Sequence, residues 1–341
     1  MSENIIHAYM AAAAGQPLTL EQYDLGELKP DDVELQVEYC GLCHSDLSII
    51  EDDWGVSQYP VIPGHEVVGK IVRIGSAVKT LTVGQRVGLG WTSESCASCQ
   101  HCLSGDQVLC AELVPTIVGH AGGFAEKVRA HWQWVIPLPD ELDAECAGPL
   151  LCGGITVFNP ILTHQIQAVH RVGVIGIGGL GHLALKMLKA WGCEITAFTS
   201  SLSKRDDLMA MGADHVYESL DYERLEQLYG KFDLIISTVN VGLDWTQYTQ
   251  LLAPKGSLHF VGAVLTPAVL DAGLLMSKSL NVTGSDTGTP VMLRQLMEFA
   301  ARKQIYPDVE VFPMSEVNLA IEHLKQGKAR YRVVLKADFK N

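Results

Sequence analysis

The 341-residue sequence predicts a two-domain α/β protein: a β-rich first domain, then a doubly wound parallel-sheet domain. Three observations lead there. The length suits two domains of roughly 150 residues each. Helical periodicity is scarce until about residue 150, and beyond it short apolar strands alternate with helical faces, the mark of βαβ units. Hydrophobic residues make up 48% and charged residues 19%, enough apolar material for two cores and no signature of disorder.

The elements follow in order. Val33 to Tyr39 alternates apolar and polar residues, which predicts a half-buried strand. His65 to Gly75 predicts another, interrupted by Gly69 where the backbone bends or packs closely. Val83 to Val87 adds a turn and a strand. Arg171–Ile175 is a short apolar strand, and Leu180, Leu183, Ala184, Met187, Leu188 and Trp191 then share one helix face. Further strands are expected at Glu194–Thr199, Phe232–Ser237, Ser257–Val261 and Ser279–Ser285. The stretch from about 290 on reads as two helices and a final strand, Arg332–Leu335, that rejoins the first domain.

Charge and cysteine usage narrow the function. Lys and Arg number 25 against 39 Asp and Glu, a net charge of −14 that repels phosphate backbones and anionic lipid. Nucleic acid and membrane partners are therefore not expected. No apolar run reaches membrane-spanning length and the first residues lack a secretion pattern, so a soluble cytoplasmic protein is expected. The nine cysteines then read as reduced thiols, not as a disulfide framework.

Four constellations carry chemistry. Cys96, Cys99, Cys102 and Cys110 have the spacing of a closed tetrahedral zinc shell with no open position, hence a structural site; an iron–sulfur cluster is the alternative. Gly176-Ile177-Gly178-Gly179-Leu180-Gly181 follows a strand and opens an amphipathic helix, the context in which such a turn holds a dinucleotide pyrophosphate. The next strand ends in Thr199-Ser200-Ser201, with Lys204 and Arg205 close behind and no carboxylate to hold a ribose 2′-hydroxyl. Hydroxyls and cations there suit a 2′-phosphate, so NADP(H) is expected; the plainer reading is a helix cap beside solvated cations. Finally, Cys43, His65 and Cys152 have the ligand types of a catalytic zinc site, two thiolates and an imidazole. Sequence distance alone does not bring them together.

With these motifs the chain resembles the zinc-dependent medium-chain alcohol dehydrogenases. Gly64-His65-Glu66, Gly69, Gly75, Val78, Gly84 and Val87 reproduce that family's zinc signature. Cys40 to Asp46, Leu151 to Thr156 and Ala329 to Arg332 echo its cinnamyl-alcohol-dehydrogenase-like branch, most of all the bacterial NADPH-dependent aldehyde reductases. The resemblance implies a GroES-like catalytic domain, residues 1–153 and 292–341 with a zinc lobe at about 91–113, and a Rossmann cofactor domain at 154–291.

It also implies roles. Cys43, His65 and Cys152 would bind catalytic zinc, Glu66 would sit behind it, and Asp46 would fix the His65 tautomer. Ser45 would pass a proton to the substrate oxygen and His44 would lie near the cofactor pyrophosphate. Thr156, Val239, Val264, Ser285 and Arg330 would contact the cofactor. Trp54 and Trp91 follow motif segments and read either as an aromatic wall for apolar aldehydes or, equally, as packing core or loop caps. Ser48, read as a loop serine, stands where the family commonly has a relay histidine. The implied activity is zinc-dependent, NADPH-linked, reversible reduction of aldehydes to primary alcohols by a homodimer with two zinc ions per chain. An NAD-linked zinc polyol or sugar dehydrogenase and a non-catalytic NADPH sensor are the competing readings.

Overall fold

The computed structural model describes residues 3–339, and its contacts divide the chain into two compact units. One runs through Cys152 and resumes at Thr289; the other is Gly153–Gly288.

The first unit begins with an antiparallel pair, β1 (Ile5–Met10) and β2 (Thr19–Asp24). It continues through β3 (Asp32–Leu42), α1 (His44–Glu51), β4 (Val67–Ile74), β5 (Arg86–Leu89) and β6 (Thr92–Glu94). Then come α2 (Gln100–Ser104), β7 (Val114–Pro115), β8 (Lys127–His131), β9 (Val135–Pro137) and α3 (Ala144–Ala147).

The second unit comprises α4 (Gly153–Thr163), β10 (Arg171–Ile175), α5 (Gly181–Trp191), β11 (Glu194–Thr199), α6 (Arg205–Ala210) and β12 (His215–Glu218). It closes with α7 (Tyr222–Leu225), β13 (Phe232–Ser237), α8 (Trp245–Gln250), β14 (Leu252–Phe260), α9 (Ala272–Lys278) and β15 (Asn281–Gly284). The chain returns to the first unit as α10 (Pro290–Lys303), β16 (Val309–Pro313), α11 (Val317–Lys325) and β17 (Arg332–Lys336).

In the first unit, seven strands form one sheet in the order β16-β17-β3-β4-β5-β9, with β8 also on β3. Three neighbours make β3 central, and its burial corrects the half-buried strand expected from alternation. Val33, Leu35 and Val37 face the core as predicted, but Glu34 is buried too. Its carboxylate accepts hydrogen bonds from Arg129 Nε at 2.7 Å and Lys127 Nζ at 3.2 Å, both on β8, and faces Arg73 NH1 at 3.7 Å on β4. Arg129 also donates to the carbonyls of Leu25 and Gly26, so the buried charges are mutually satisfied.

The strand expected at 65–75 begins only at Val67, because His65 and Glu66 belong to the loop entering it. The unanticipated β16 runs parallel to β17, and β17 pairs antiparallel with β3 through Val333↔Leu42.

The second unit is a six-stranded parallel sheet in the order β12-β11-β10-β13-β14-β15. β10, β11 and β13 occupy the spans expected from sequence. β14 starts earlier than expected, at Leu252, and β15 is shorter, Asn281–Gly284. Strand order reverses between β10 and β13, the switch point at which open α/β sheets bind ligands beyond their carboxyl ends. α5 buries Leu183, Ala184, Met187 and Leu188 and ends at Gly192, whose φ of 105° permits the left-handed cap. Among the described residues no single helix is long and apolar enough to cross a membrane.

Replacing Arg129 by Met strands the Glu34 charge in the core. The expected cost in urea unfolding is about 3–5 kcal/mol; a loss below about 1 kcal/mol, the range of exposed pairs, would contradict this account.

Candidate active site

Cys43 directly follows β3 and stands at the N-cap of α1 in extended geometry. Three residues on, the carboxylate of Asp46 accepts the Cys43 N–H through Oδ2 at 2.8 Å and the Gly64 N–H through Oδ1 at 2.8 Å. Asp46 is fully buried, and its Oδ1 lies 2.9 Å from His65 Nδ1. A carboxylate has no proton to give, so Nδ1–H is the donor and the lone pair of Nε2 is left facing Cys152 Sγ, 3.2 Å away. Gly64 permits the approach: its φ is +99°, and a Cβ there would lie 2.6 Å from the Phe124 ring and 2.9 Å from Cys40 Sγ.

The ligand-type atoms of Cys43, His65, Glu66 and Cys152 lie within 4.8 Å of one another, all buried. Hydrogen bonding from Cys152 draws the Cys43 thiol well below the ordinary range against the pull of burial, favouring thiolate. Glu66 is pushed up to about 7 by burial, opposed by the Arg332 guanidinium that donates to its Oε1. Its other oxygen, Oε2, is buried without a hydrogen-bond partner among the described residues. Two thiol sulfurs and one oriented imidazole are a donor set that fits zinc with one position left open, and the Glu66 carboxylate stands within 4.8 Å of all three.

Around this group, Ser45 Oγ sits 3.8 Å from Cys43 Sγ in the first turn of α1, and His44 is exposed. The Trp91 ring stands nearly perpendicular to His65 at 5.1 Å, and Trp54 meets Trp91 at 6.1 Å. Both tryptophans are partly buried against Ile49, Val61 and Ile117. Ser48 is not a loop serine; it lies buried inside α1.

Cys96, Cys99, Cys102 and Cys110 form the second group whose sulfurs lie within 4.8 Å. Backbone N–H groups of Cys99 and Cys102 donate to the sulfurs of Cys96 and Cys99 at 3.3 and 3.5 Å. The loop thus wraps its own thiols, and four sulfurs leave no place for a substrate.

In the second unit, Gly176 leaves β10 with a φ of 84°, and α5 begins at Gly181 with Leu180 as its cap. Apart from its two chain neighbours, no described residue comes within 4 Å of where a Gly178 Cβ would stand, so the backbone there is open to a ligand. Gly179 and Leu180 complete the turn, and Val239 packs beside Gly176. Beyond β11, Thr199 Oγ1 donates to the Ser201 carbonyl and Ser201 caps a short 3-10 turn, accepting from Ser203 N–H. Ser200 stands exposed between them, and Lys204 and Arg205 form no ion pair among the described residues.

Thr156 donates to the Asp286 carbonyl at 3.2 Å, Ser285 Oγ lies 2.9 Å from His259 Nε2, and Val264, like Val239, packs against the core around Ile175 and Leu258. Arg330 belongs to the first unit, exposed, with its N–H donated to Glu310.

Residues 29–140 match the model of the alcohol dehydrogenase GroES-like domain and residues 179–302 that of the zinc-binding dehydrogenases. The chain is 49% identical to the aldehyde reductase AdhA of Synechocystis, covering 97% of this chain and 98% of that protein. It is a zinc-binding alcohol dehydrogenase. Within that family it belongs to the cinnamyl-alcohol-dehydrogenase-like branch. The cinnamyl alcohol dehydrogenase SbCAD4 of Sorghum bicolor superposes with a TM-score of 0.93 at 33% identity, over 99% of both chains. The Helicobacter pylori enzyme CAD, solved with NADP(H), gives 0.88 at 28% identity over 97% of this chain and 98% of that one.

One member of this dehydrogenase's buried group has no local signal in the sequence. Arg332 closes the Ala329 to Arg332 motif, but its partner Glu66 is 266 residues away and no spacing links them. Metal analysis of the purified dehydrogenase should find two zinc ions per chain, falling to one in Cys99→Ala together with a lower melting temperature. Full zinc content in a stable Cys99→Ala protein would contradict the four-sulfur site.

Proposed function

We propose that this dehydrogenase reduces aldehydes reversibly to primary alcohols with NADPH. The observation that carries the reading is the Cys43, His65, Cys152 and Glu66 group, whose one imidazole is aimed by Asp46. Cys43, His65 and Cys152 hold the catalytic zinc, and Cys96, Cys99, Cys102 and Cys110 hold the structural one. Bound zinc supplies Lewis acidity toward a carbonyl oxygen, and bound NADPH supplies the hydride.

The protein's own residues do the rest. Glu66, restrained by Arg332, keeps a carboxylate oxygen behind the ligand set. The Ser45 hydroxyl, at the start of α1, donates to the substrate oxygen and delivers its proton. Ser48 is buried on the helix and offers no way out to solvent, so Ser45 is resupplied by water or by a cofactor ribose hydroxyl. Trp54 and Trp91 exclude water and give an apolar aldehyde a flat aromatic surface. His44 and Arg330, both exposed, are left to contact cofactor phosphates.

The turn from Gly176 to Gly181 takes the pyrophosphate at the N-terminus of α5, where free N–H groups face an anion. Thr199, Ser200, Ser201 and Lys204 take the 2′-phosphate, since no carboxylate at the end of β11 would repel it. Val239, Val264, Ser285 and Thr156 shape the nicotinamide side.

We also propose that the protein works in the cytoplasm as a homodimer. Among the described residues the outer strand β15 is paired on one side only, by β14, and α9, which precedes it in the chain, buries none of its residues. Leu265, Val269 and Met276 there are 79%, 75% and 82% exposed, an apolar surface suited to a second copy. Light scattering should give twice the chain mass, and Met276→Glu should shift it toward monomer; a monomeric wild type would remove this reading.

A panel of aldehydes assayed with both cofactors tests the activity. Turnover should be found with NADPH and apolar aldehydes, and should vanish in Cys43→Ala while the four-sulfur zinc remains. Lys204→Ala should raise KM for NADPH roughly tenfold or more, the scale of one lost charged hydrogen bond, and leave NADH unaffected. Equal loss with both cofactors would overturn the 2′-phosphate assignment, and preference for NADH and hydroxyl-rich substrates would point to a polyol dehydrogenase.

A further inference from the structure

The second unit carries a cluster of nitrogen and oxygen donors that the proposed reaction does not use. His164 follows the last residue of α4, His259 lies on β14, and Thr283 lies on the outer strand β15. Three of their atoms converge. His164 Nε2 is 3.0 Å from His259 Nδ1, His164 Nε2 is 3.1 Å from Thr283 Oγ1, and His259 Nδ1 is 2.9 Å from Thr283 Oγ1.

These contacts are near the geometry of one face of an octahedral metal site. Donors about 2.1 Å from a metal and at right angles to each other stand about 3.0 Å apart, whereas tetrahedral donors stand about 3.4 Å apart. The near-equal sides of the triangle match the octahedral value.

The ring positions suit the same purpose. The other nitrogen of His259, Nε2, lies 2.9 Å from Ser285 Oγ. Donating its N–H to that hydroxyl leaves the lone pair of Nδ1 directed into the triangle, the support that ligating histidines usually have. His259 is 1% exposed and so held in place, while His164, at the end of α4, is partly exposed and Thr283 is exposed in the single chain. All three residues come from one chain.

We propose that His164, His259 and Thr283 form a further cation site, taking a late first-row divalent ion such as nickel or copper through two imidazoles and one hydroxyl, with water in the remaining positions. Imidazole nitrogen selects such ions over magnesium or calcium, which prefer oxygen. In the metal-free state the same atoms hydrogen-bond one another, so binding replaces those bonds: the His164 proton moves to Nδ1 and the Thr283 hydroxyl hydrogen turns outward. A bound ion would tie the end of α4 to β14 and β15. Through His259 it would also reach Ser285, next to the loop that Thr156 and Asn159 hold from α4.

The test is equilibrium dialysis of the full-length, zinc-loaded protein against micromolar nickel chloride, with total nickel and zinc measured. Wild type should take up one nickel per chain without losing zinc, and its melting temperature should rise by a few degrees. His164→Ala should weaken nickel binding at least tenfold and abolish the thermal shift, with zinc content and turnover unchanged. His259→Ala should lose the nickel as well, and Thr283→Ala should weaken it less. No uptake by wild type, uptake that only displaces zinc, or undiminished uptake in both histidine variants would overturn the proposal. Because wild type and His164→Ala are compared at equal zinc content, the outcome does not depend on where those zinc ions sit.

Discussion

A single buried carboxylate organises the candidate catalytic centre. Asp46 receives the N–H groups of Cys43 and Gly64 and the ring N–H of His65. Each bond to a charged acceptor contributes on the order of 1.5–3 kcal/mol, and losing one would strand charge in the core. The Asp46 bonds therefore start α1, pin the Gly64 turn and set which imidazole nitrogen faces the cysteines. Its chemistry is that of a positioning group: it touches no reacting atom, yet the ligand geometry relies on it.

Sheet register explains why residues far apart in sequence meet. β3 pairs with β4 through Cys40↔Val67 and with β17 through Leu42↔Val333. Cys43 follows the end of β3, Glu66 precedes the start of β4, and Arg332 opens β17. Three neighbouring strands therefore end at one edge of the sheet, and the Gly41 N–H donates to the Glu66 carbonyl there at 2.9 Å. The site depends on the central strand more than on any loop, which is why the Glu34 ion cluster bracing β3 matters to function as well as to stability.

Features written in local spacing were legible in the sequence. The four-cysteine lobe, the glycine turn and the strands at Arg171–Ile175, Glu194–Thr199 and Phe232–Ser237 depend on neighbours a few residues away, and they stand where expected. What escaped depends on distant partners. Alternation marked Glu34 as solvent-facing because nothing nearby announces that Lys127 and Arg129 cover it. Ser48 read as a loop residue because α1 is short and begins at a cysteine, a weak cap signal. The Glu66–Arg332 pair joins distant parts of the chain, and β16, with Val309 only partly buried and Val311 exposed, lacks the apolar run of a core strand.

If Cys43, His65 and Cys152 share one ion, as proposed, its remaining position is free for a substrate oxygen. Cobalt in place of the catalytic zinc makes that position visible, since its absorption bands report both thiolate ligation and coordination geometry. The account predicts intense sulfur-to-cobalt bands that shift when free imidazole, a small competing ligand, is added. Bands that do not respond to imidazole would mean that the position is closed by a permanent protein donor, and the account would fail.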